Sequence, residues 1–503
     1  MERFEFLDRI YQNLCSEKKR TAFYIRENWY TYGELASAVA GIQASLSELE
    51  ADVRHVGVFL QDDMYTYASI LALWMTGRAF VPVNPLFPAA RNRKIMEQTA
   101  LSVLLHSVDL PEELSMPGCK PVHTVQGLFP SGNTPVLHGF EEERDAYVLF
   151  TSGSTGEPKG VRITFANLNA FLRDFIHYPA YSFSPEDRFL QIYDLSFDAS
   201  VHCYAVPLSV GASVYTVPPD GIKYLAAYKL MKEQELTFAK MPPSTLSYLR
   251  SYFPTIHLPA LKYCLLGGEA FPAHLADEFE SCIPNALIQN VYGPTEVTIN
   301  CLIYDWNAPG SRRKNHNGIV SIGKGFGTNR TRIEAGGHQS GTATTNGELL
   351  VAGEQVSPGY WRDRGLDDKA FSQVDQEGNT IRYYRTGDLV QMDEEGDLFF
   401  LGRGDDQVQI RGYRVELGEI ESLARRWLGG INVMAAAVEP RTGEMQIVLL
   451  IESEERDTLP LREYLSEHLP SFMVPERIVT LKHFPRQVSG KTDRKAIMEQ
   501  YLS

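Results

Sequence analysis

Apolar runs and amphipathic segments alternate from early in the chain. Residues 56–60 form a continuous apolar run typical of a buried strand, and residues from about 64 to 76 have a helical pattern. A second strand is predicted at 79–83, followed by a helix at about 88–98 and a strand at 101–105. Strands that alternate with helices in this way form parallel sheets with crossover helices.

The rhythm continues to about residue 310 and then changes. Between about 310 and 400 the chain is rich in Gly, Thr and Asn and its strands are short, as at 347–351, which favours a small β-rich subdomain. A Gly-Arg-Gly-Asp-Asp run at 402–406 interrupts two strand-like runs and marks a boundary. The last hundred residues predict a small α+β domain with strands at 431–438 and 445–451 and helices at about 417–427 and 459–468.

Length and charge exclude several classes of protein. A chain of 503 residues is long enough for at least two domains. A net charge of -15 disfavours long-range attraction to nucleic acid or anionic lipid. The N-terminus has no signal-peptide pattern, and no apolar run is long enough to span a bilayer. We therefore expect a cytoplasmic protein without membrane insertion, and the six cysteines, which contain no Cys-x-x-Cys pair, predict neither a disulfide framework nor a zinc site.

One loop has the composition of a polyphosphate-binding loop. A strand at 146–150 runs into it, and a helical pattern with Thr164 as its N-cap follows. Glycines, hydroxyls and a lysine supply backbone N–H donors, side-chain donors and positive charge at Thr151, Ser152, Gly153, Ser154, Thr155, Gly156 and Lys159. The loop is not of the Walker type, because Pro158 precedes the lysine and neither Ser nor Thr follows it. A solvated Gly/Ser loop is the structural alternative.

The full string 151–160 resembles the signature of the adenylate-forming superfamily, which contains acyl-CoA synthetases, luciferases and the adenylation domains of peptide synthetases. Further motifs of that superfamily follow in the expected order at 31–35, 77–83, 290–296, 347–349, 384–389, 402–407, 410–421, 469–475 and 489–494. The resemblance implies an α/β fold. A large N-terminal core, 1–402, would contain two parallel-type αβ sheet subdomains and a small β subdomain, with a hinge at 403–406 and a small mobile α+β domain at 407–503.

The resemblance also implies the residues that activate the substrate with ATP and Mg²⁺. Lys491 would bridge the substrate carboxylate and the α-phosphate, Thr295 would contact the α-phosphate, and Glu296 would bind Mg²⁺. A hard carboxylate oxygen beside polyphosphate suits that ion. The structural alternatives are a solvated lysine near the chain end and a glutamate at a helix start.

Four residues would hold the adenosine if the resemblance extends to the nucleotide. Tyr292 would stack on adenine and Asn290 would hydrogen-bond its edge. Asp388 would accept from both ribose hydroxyls, and Arg403 would help to hold the ribose.

The second half-reaction, in which a thiol attacks the adenylate, requires a different arrangement. In the superfamily the small C-terminal domain rotates, and Asp405 matches the hinge position. Gly404 beside it would ease a large change in φ and ψ. Gly412 would line the tunnel for phosphopantetheine. A simple turn is the alternative for the Gly-Arg-Gly-Asp-Asp run.

The substrate is expected to be an amino acid, because Asp198 matches the aspartate with which amino-acid-activating members pair the substrate ammonium. An unpaired carboxylate in an apolar pocket would be costly for a simple acyl substrate. A helix N-cap is the alternative role. By alignment the rest of the pocket would be Ala199, His202, Lys240, Leu265, Gly267, Val291, Ile299 and Asn300.

Lys240 leaves the side-chain preference open. A lysine at this position resembles pockets for aspartate or asparagine, since a buried ammonium needs a partner. Alternatively it pairs with a carboxylate of the protein and fills space, which leaves room only for glycine or alanine.

The acceptor is expected to be the phosphopantetheine of a separate carrier protein. No Gly-Gly-[Asp/His]-Ser carrier motif follows Arg494, and 336–340 only imitates it, so a stand-alone enzyme that acts in trans is expected. D-alanine–carrier protein ligases share this layout, although 267–270 is more similar to peptide-synthetase domains. An amino-acid- or acyl-CoA ligase is a further alternative, and intact motifs argue against an inactive nucleotide-binding scaffold.

Overall fold

A computed structural model describes residues 4–47, 49–50, 52–125, 133–153, 157–309, 313–334, 345–376, 378–438, 445–486 and 492–502. The chain divides into two compact units. The first contains Met1–Asn84, Thr99–Leu149 and Gly160–Gly404, and the second contains Pro85–Gln98, Phe150–Lys159 and Asp405–Ser503. The main chain thus passes from one unit to the other between Gly404 and Asp405, within the segment that the sequence predicts as a hinge. That this segment acts as a hinge stays a prediction.

Two of the helices begin at a capping box. Thr31 and Thr164 each form a capping box with the residue three positions later, which satisfies backbone donors that a helix leaves open. In chain order the helices are α1 (Glu5–Ser16), α2 (Tyr32–Leu46), α3 (Met64–Met75), α4 (Ala89–Gln98), α5 (Phe165–Ile176), α6 (Asp198–Val210), α7 (Lys223–Glu233), α8 (Pro243–Leu249), α9 (Ala273–Glu280), α10 (Arg364–Ala370), α11 (Leu417–Trp427), α12 (Leu459–His468) and α13 (Arg494–Ile497).

Strands alternate with helices through the first three hundred residues. They are β1 (Thr21–Ile25), β2 (Asn28–Thr31), β3 (His55–Phe59), β4 (Ala79–Val83), β5 (Val103–His106), β6 (Lys120–His123), β7 (Asp145–Thr151), β8 (Lys159–Thr164), β9 (Arg188–Gln191), β10 (Ser213–Thr216), β11 (Phe238–Met241), β12 (Tyr263–Gly267), β13 (Leu287–Tyr292) and β14 (Leu302–Asp305).

The following stretch is mostly β-structure, as its composition predicts. Its strands are β15 (Asn315–His316), β16 (Ile319–Val320), β17 (Lys324–Gly325), β18 (Arg330–Glu334), β19 (Thr345–Ala352), β20 (Gly359–Tyr360), β21 (Phe371–Gln376), β22 (Asn379–Met392) and β23 (Leu398–Arg403). An antiparallel sheet of order β18–β19–β22–β21, with β23 also paired to β22, confirms the predicted β-rich subdomain.

Two largely parallel sheets form the body of the first unit. One has the order β17–β14–β13–β12–β11–β9–β10–β1–β2 and the other the order β20–β8–β7–β4–β3–β5–β6. Strands such as β4 and β11 are buried along their whole length, because helices cover both faces of a parallel sheet. The predicted α/β fold with two αβ sheet subdomains and a small β subdomain is confirmed.

The C-terminal part of the second unit is a small α+β fold. Strands β24 (Gln407–Ile410) and β25 (Tyr413–Glu416) form a hairpin, and β26 (Val433–Val438), β27 (Gln446–Glu452) and β28 (Arg477–Leu481) form a sheet. Apolar side chains of β26 and β27 pack with those of α11 and α12 in one core. The predicted α+β character of this part is confirmed.

The helices offer no route across a membrane: none in the described parts of the chain combines the length and apolarity that a bilayer span needs.

Candidate active site

The predicted substrate pocket lies where neighbouring parallel strands end. In the sheet register Lys240 of β11 lies beside Leu265 of β12, and Gly267 of β12 lies beside Val291 of β13. Side chains at the carboxyl ends of parallel strands meet at one edge of the sheet, which is where ligands bind in open α/β sheets. The order of strands thus brings together residues that are up to 51 positions apart in the sequence, from 240 to 291.

Asp198 is the first residue of α6, but it does not cap the helix. Phe197 occupies the N-cap position, and no side chain caps this helix. The Oδ2 atom of Asp198 is shielded from solvent and has no hydrogen-bond partner among the described residues. Burial raises the pKa of this carboxyl to about 6, although Lys240, Thr295 and the backbone of Ala199 act to lower it. A shielded carboxylate oxygen without a partner suits an incoming cation.

Lys240 is almost fully buried and is surrounded by neutral groups. Its Nζ lies 3.4 Å from Nδ1 of His202 and 5.9 Å from the centre of the Tyr193 ring. When the amide of Asn300 takes the orientation that satisfies both its ends, its oxygen accepts from Nζ at 3.0 Å and its nitrogen donates to the Ile299 carbonyl at 2.9 Å.

No carboxylate oxygen among the described residues lies within 4.0 Å of Nζ, so this lysine has no ion-pair partner there. Burial lowers the pKa of Lys240 to about 8, whereas the charge of Asp198 and the thiol of Cys203 act to raise it. The described residues therefore do not support the alternative in which Lys240 pairs with a carboxylate of the protein.

His202 completes this polar cluster from α6. Its ring packs edge-on against Phe175, with the ring centres 4.3 Å apart. Burial, with the charge of Lys240, lowers the pKa of His202 well below its usual value, so the ring is neutral. Its Nε2 atom is buried without a hydrogen-bond partner among the described residues. If Nδ1 accepts from Lys240, Nε2 carries the proton and is a free donor.

Gly267 marks a close approach of two strands. A Cβ atom on this residue would lie 2.3 Å from the carbonyl oxygen of Val291 and 2.7 Å from its Cγ2 atom. Any side chain here would push β12 and β13 apart. Leu265 and Val291 are both buried, so this side of the pocket is apolar.

A short turn presents the predicted metal ligand. Residues Thr295–Val297 form a single 3₁₀ turn, and Glu296 within it is fully buried. The hydroxyl of Tyr360 donates to Oε1 of Glu296 at 2.7 Å, which orients the carboxylate. Ile299 and Asn300 follow directly, so one short stretch carries both nucleotide-side and substrate-side residues.

Tyr292, Asp388 and Arg403 form one hydrogen-bonded group. The hydroxyl of Tyr292 donates to Oδ2 of Asp388, and Nη1 of Arg403 lies 2.5 Å from Oδ1. Asp388 and Arg403 face each other across β22 and β23. Each carboxylate oxygen has a further lone pair, so the group can still accept from a ligand.

Asn290 is buried at the end of β13. Its Nδ2 donates to the carbonyls of Ser321 and Val320, at 2.9 and 3.3 Å. The side chain is therefore fixed, and its amide oxygen is the group left to meet an adenine edge.

The predicted phosphate loop belongs to the second unit. Ser152 Oγ donates to the Arg414 carbonyl and accepts from the Glu416 N–H, both at 3.0 Å. The N–H of Gly153 donates to Glu419 at 3.3 Å, and Nζ of Lys159 lies 3.5 Å from Glu416. The Gly153 N–H and the Lys159 ammonium thus face carboxylate oxygens, which suits a loop that binds phosphate. The hydroxyl of Thr151 is buried without a partner among the described residues, whereas Ser154, Thr155, Gly156 and Lys491 lie outside them.

Two further predicted residues also belong to the second unit. Gly412 follows Arg411 in the turn between β24 and β25, and both have positive φ, as tight hairpin turns require. Asp405 accepts from the N–H of Gln407 at 3.2 Å and is the first residue of the last segment of this unit.

A family model described as "AMP-binding enzyme" matches residues 12–361. The chain belongs to this family. It is thus an adenylate-forming enzyme whose relatives are adenylation domains of nonribosomal peptide synthetases. Tyrocidine synthase 3 of Brevibacillus parabrevis is 31% identical over 448 residues, which are 88% of this chain but 7% of that protein.

Solved structures of AMP-binding enzymes share the fold. The adenylation domain AlmE of Vibrio cholerae, in complex with glycyl-adenosine-5'-phosphate, has a TM-score of 0.82 and 24% identity, and the match covers 100% of this chain and 98% of that one. NpsA-ThdA, an artificially fused adenylation–PCP di-domain from Klebsiella oxytoca, has a TM-score of 0.80 and 23% identity, with coverages of 94% and 93%.

AMP-binding enzymes use ATP and Mg²⁺, and the residues present fit both. Mg²⁺ keeps several waters and binds one or two carboxylates together with substrate phosphates. Glu296 supplies one buried, oriented carboxylate, and no cluster of three potential ligands occurs among the described residues. Such a metal would neutralise phosphate charge.

Three residues of the site escaped prediction from the sequence. Tyr193 lies beside Lys240, Tyr360 orients Glu296, and Gln355 contacts the stretch after Glu296. Tyr360 follows a glycine in a Gly-Tyr-Trp string that could have been noticed. Nothing in the sequence distinguishes Tyr193 or Gln355.

Proposed function

We propose that this AMP-binding enzyme activates an amino acid as its aminoacyl-adenylate and transfers it to the phosphopantetheine thiol of a separate carrier protein. The observation that carries the proposal is Asp198, whose shielded Oδ2 has no hydrogen-bond partner among the described residues. An α-ammonium would supply the missing donor and charge. A simple acyl substrate would leave this carboxylate unpaired, which is costly.

In the first step, a carboxylate oxygen of the amino acid attacks the α-phosphorus of ATP. A new P–O bond forms, the bond to the leaving oxygen breaks, and pyrophosphate departs. Charge accumulates between carboxylate and phosphate, so the proposed roles of Lys491 and Thr295 are to stabilise it. Glu296 is the proposed ligand of the magnesium ion.

The adenosine would be held by the group around Asp388. Its carboxylate would accept from the ribose hydroxyls, while Arg403 at 2.5 Å holds it in place. Tyr292 is tied to the same carboxylate by its hydroxyl, so its ring has a fixed position against which adenine can stack.

In the second step, the carrier thiol attacks the carbonyl carbon of the adenylate. A thioester bond forms, the bond from carbon to the phosphate oxygen breaks, and AMP leaves with that electron pair. The thiol proton passes to solvent or to AMP. Asp405 as hinge and Gly412 as part of the pantetheine tunnel are proposed on resemblance alone.

The side chain of the substrate is proposed to carry an oxygen acceptor, either a carboxylate or an amide. Lys240 is charged, buried and bonded to neutral groups, and His202 has a ring nitrogen without a partner among the described residues. An acidic side chain would neutralise the lysine, and an amide oxygen would accept from either donor. If His202 and Asn300 alone suffice to hold Lys240, a small substrate such as glycine or alanine fits instead.

Two proteins with the same fold agree with this proposal. AlmE is described with glycyl-adenosine-5'-phosphate, an amino-acid adenylate, and NpsA-ThdA as an artificial fusion of an adenylation domain with a PCP. Each supports by analogy one half-reaction of the proposal.

ATP–pyrophosphate exchange over all amino acids, D-forms included, tests the first step. One acidic, amide or small amino acid should stand out, and its deamino analogue should give about a hundredfold less exchange. Asp198→Ala should lose exchange with every amino acid. Amino-acid activation would be refuted if the wild type exchanged with carboxylic acids that lack an amino group and Asp198→Ala kept that activity.

The acceptor is tested by incubating the enzyme with ATP, the radiolabelled preferred amino acid, and either a holo carrier protein or free CoA. Holo carrier proteins should become labelled and free CoA should not. Efficient thioester formation with CoA would instead make the enzyme an amino-acid–CoA ligase, and preference for D-alanine would favour the D-alanine–carrier ligases.

A further inference from the structure

The stretch that follows Glu296 has a rare backbone conformation. Thr298 and Ile299 have φ values of 52° and 74°, in the left-handed region. Both side chains are β-branched and both residues are buried. Such residues almost never occupy this region, because the Cβ atom clashes with the backbone, so surrounding structure must hold them there.

Gln355 is the side chain that holds this stretch. It is fully buried, and its Nε2 donates to the carbonyls of Asn300 at 2.7 Å, Thr298 at 3.1 Å and Val297 at 3.3 Å. The hydroxyl of Thr298 donates back to the carbonyl of Gln355 at 2.6 Å. Its Oε1 accepts from Asn329 at 2.5 Å, which fixes the orientation of the amide.

The stretch also packs closely against Gly293. A Cβ atom on Gly293 would lie 2.5 Å from Cα of Asn300 and 2.5 Å from the carbonyl oxygen of Ile299. Among the described residues, the Thr298 carbonyl also accepts from the Asn300 N–H at 3.0 Å, whereas the carbonyls of Val297 and Asn300 accept from Gln355.

The proposed metal site and the proposed substrate pocket both depend on this stretch. Glu296, the proposed metal ligand, precedes it directly, and Asn300, which accepts from Lys240, ends it. We propose that Gln355 is a positioning residue that sets Glu296 and Asn300 together, so that one amide fixes a nucleotide-side and a substrate-side group. This inference rests on the proposed function.

Gln355→Leu keeps the approximate volume but removes the two amide N–H groups that the carbonyls of Val297, Thr298 and Asn300 share. We expect kcat/KM in pyrophosphate exchange to fall about a hundredfold, because displacements of about 1 Å cost that much. The KM values for MgATP and for the amino acid should both rise, since the stretch serves both. Selectivity between acidic or amide and neutral amino acids should weaken in the same variant.

Asn307→Leu is the matched control. Asn307 also makes two hydrogen bonds to backbone groups in the first unit, to the N–H of Ile288 at 2.8 Å and the carbonyl of Ala286 at 3.1 Å. Among the described residues it has no hydrogen bond to 297–300. It should lower the melting temperature as Gln355→Leu does while kcat/KM and selectivity stay within about threefold.

Gln355→Glu should change the pH dependence of activity, which a loss of stability alone would not do. A carboxylate would face three carbonyl oxygens, whereas the protonated acid can donate to one of them. Its activity relative to wild type at the same pH should therefore rise as the pH falls from about 9 to about 6. Gln355→Leu should show no such recovery.

Amide hydrogen exchange tests the inference without any activity. Amides of 297–301 should exchange faster in Gln355→Leu than in wild type or Asn307→Leu. Unchanged exchange there, or equal losses of kcat/KM in Gln355→Leu and Asn307→Leu, would overturn the inference. If the wild type activates no amino acid, the proposed function fails, and the exchange measurement alone decides whether Gln355 holds this stretch.

Discussion

Asp198, which the proposed function reserves for the substrate ammonium, shows how a buried carboxyl lowers stability. Its carboxyl has a pKa of about 6, above its ordinary value of 3.8, chiefly because it is buried. A raised pKa means that the folded protein keeps a proton that the unfolded chain has lost. The residue therefore costs stability above about pH 6, and this cost disappears below about pH 4.

Asp198→Asn should therefore stabilise the enzyme at neutral pH while removing its activity. We expect a gain on the order of 1–2 kcal/mol above about pH 7, since the amide needs no counter-charge, and no gain below about pH 4. Thermal melting across this pH range measures it. The preferred amino acid should raise the melting temperature of wild type only, and a variant less stable than wild type at neutral pH would contradict the prediction.

Lys240 should make the substrate preference depend on pH. Its pKa is lowered to about 8 by burial, so it loses its charge as the pH rises through that value. The ratio of kcat/KM for an acidic over a neutral amino acid should fall by up to about tenfold per pH unit above about pH 8. In Lys240→Ala the ratio should be low and constant. A wild-type ratio that does not change up to about pH 10 would show that Lys240 does not contact the substrate side chain.

At the scale of elements, the second unit depends on a buried ion pair between two helices. Arg91 of α4 and Glu419 of α11 lie 2.6 Å apart, and both side chains are almost inaccessible to solvent. Glu419 also accepts from the N–H of Gly153, so this carboxylate joins two helices and the phosphate loop. Removing it leaves the charge of Arg91 buried without compensation.

Glu419→Gln should therefore destabilise the second unit by about 3–5 kcal/mol. The transition of this unit in urea denaturation, monitored at Trp427, measures the loss. Glu278→Gln is the control, because Glu278 pairs with Arg250 at 2.6 Å on the surface, where such pairs contribute little. Equal effects of the two substitutions would mean that the buried pair is not a structural link.

At the scale of the whole molecule, the proposed function requires one chain to serve two reactions with different partners. The main chain leaves the first unit after Gly404, and Asp405 begins the last part of the second. Glycine has the widest freedom in φ and ψ, so this point can absorb a rotation.

Asp405→Pro should separate the two half-reactions. Proline fixes φ near about −65°, so the variant should keep much of its pyrophosphate exchange while transfer to a carrier falls at least about tenfold. Asp405→Ala, which leaves φ free, should retain both. Rates of exchange and of carrier loading measured on the same preparations provide the test, and unimpaired transfer in Asp405→Pro would exclude rotation at this residue.

The sequence by itself determined the local elements and the family. Apolar runs located β3, β4 and β27 within one or two residues, and Thr164 marked the start of α5, because periodicity and capping depend on neighbouring residues. The motifs, which occur in the expected order along the chain, sufficed to identify the family, since each can be read from adjacent residues alone.

Only the tertiary structure decided which residues meet and what state they are in. Lys240 contacts His202, and Gln355 bonds to Asn300, although each pair is far apart in the chain. The shielding of Asp198 Oδ2 also depends on the assembled fold. No local pattern encodes such contacts, because strand order and register set them. The shifts in pKa follow for the same reason, since burial and charge are properties of the assembled fold.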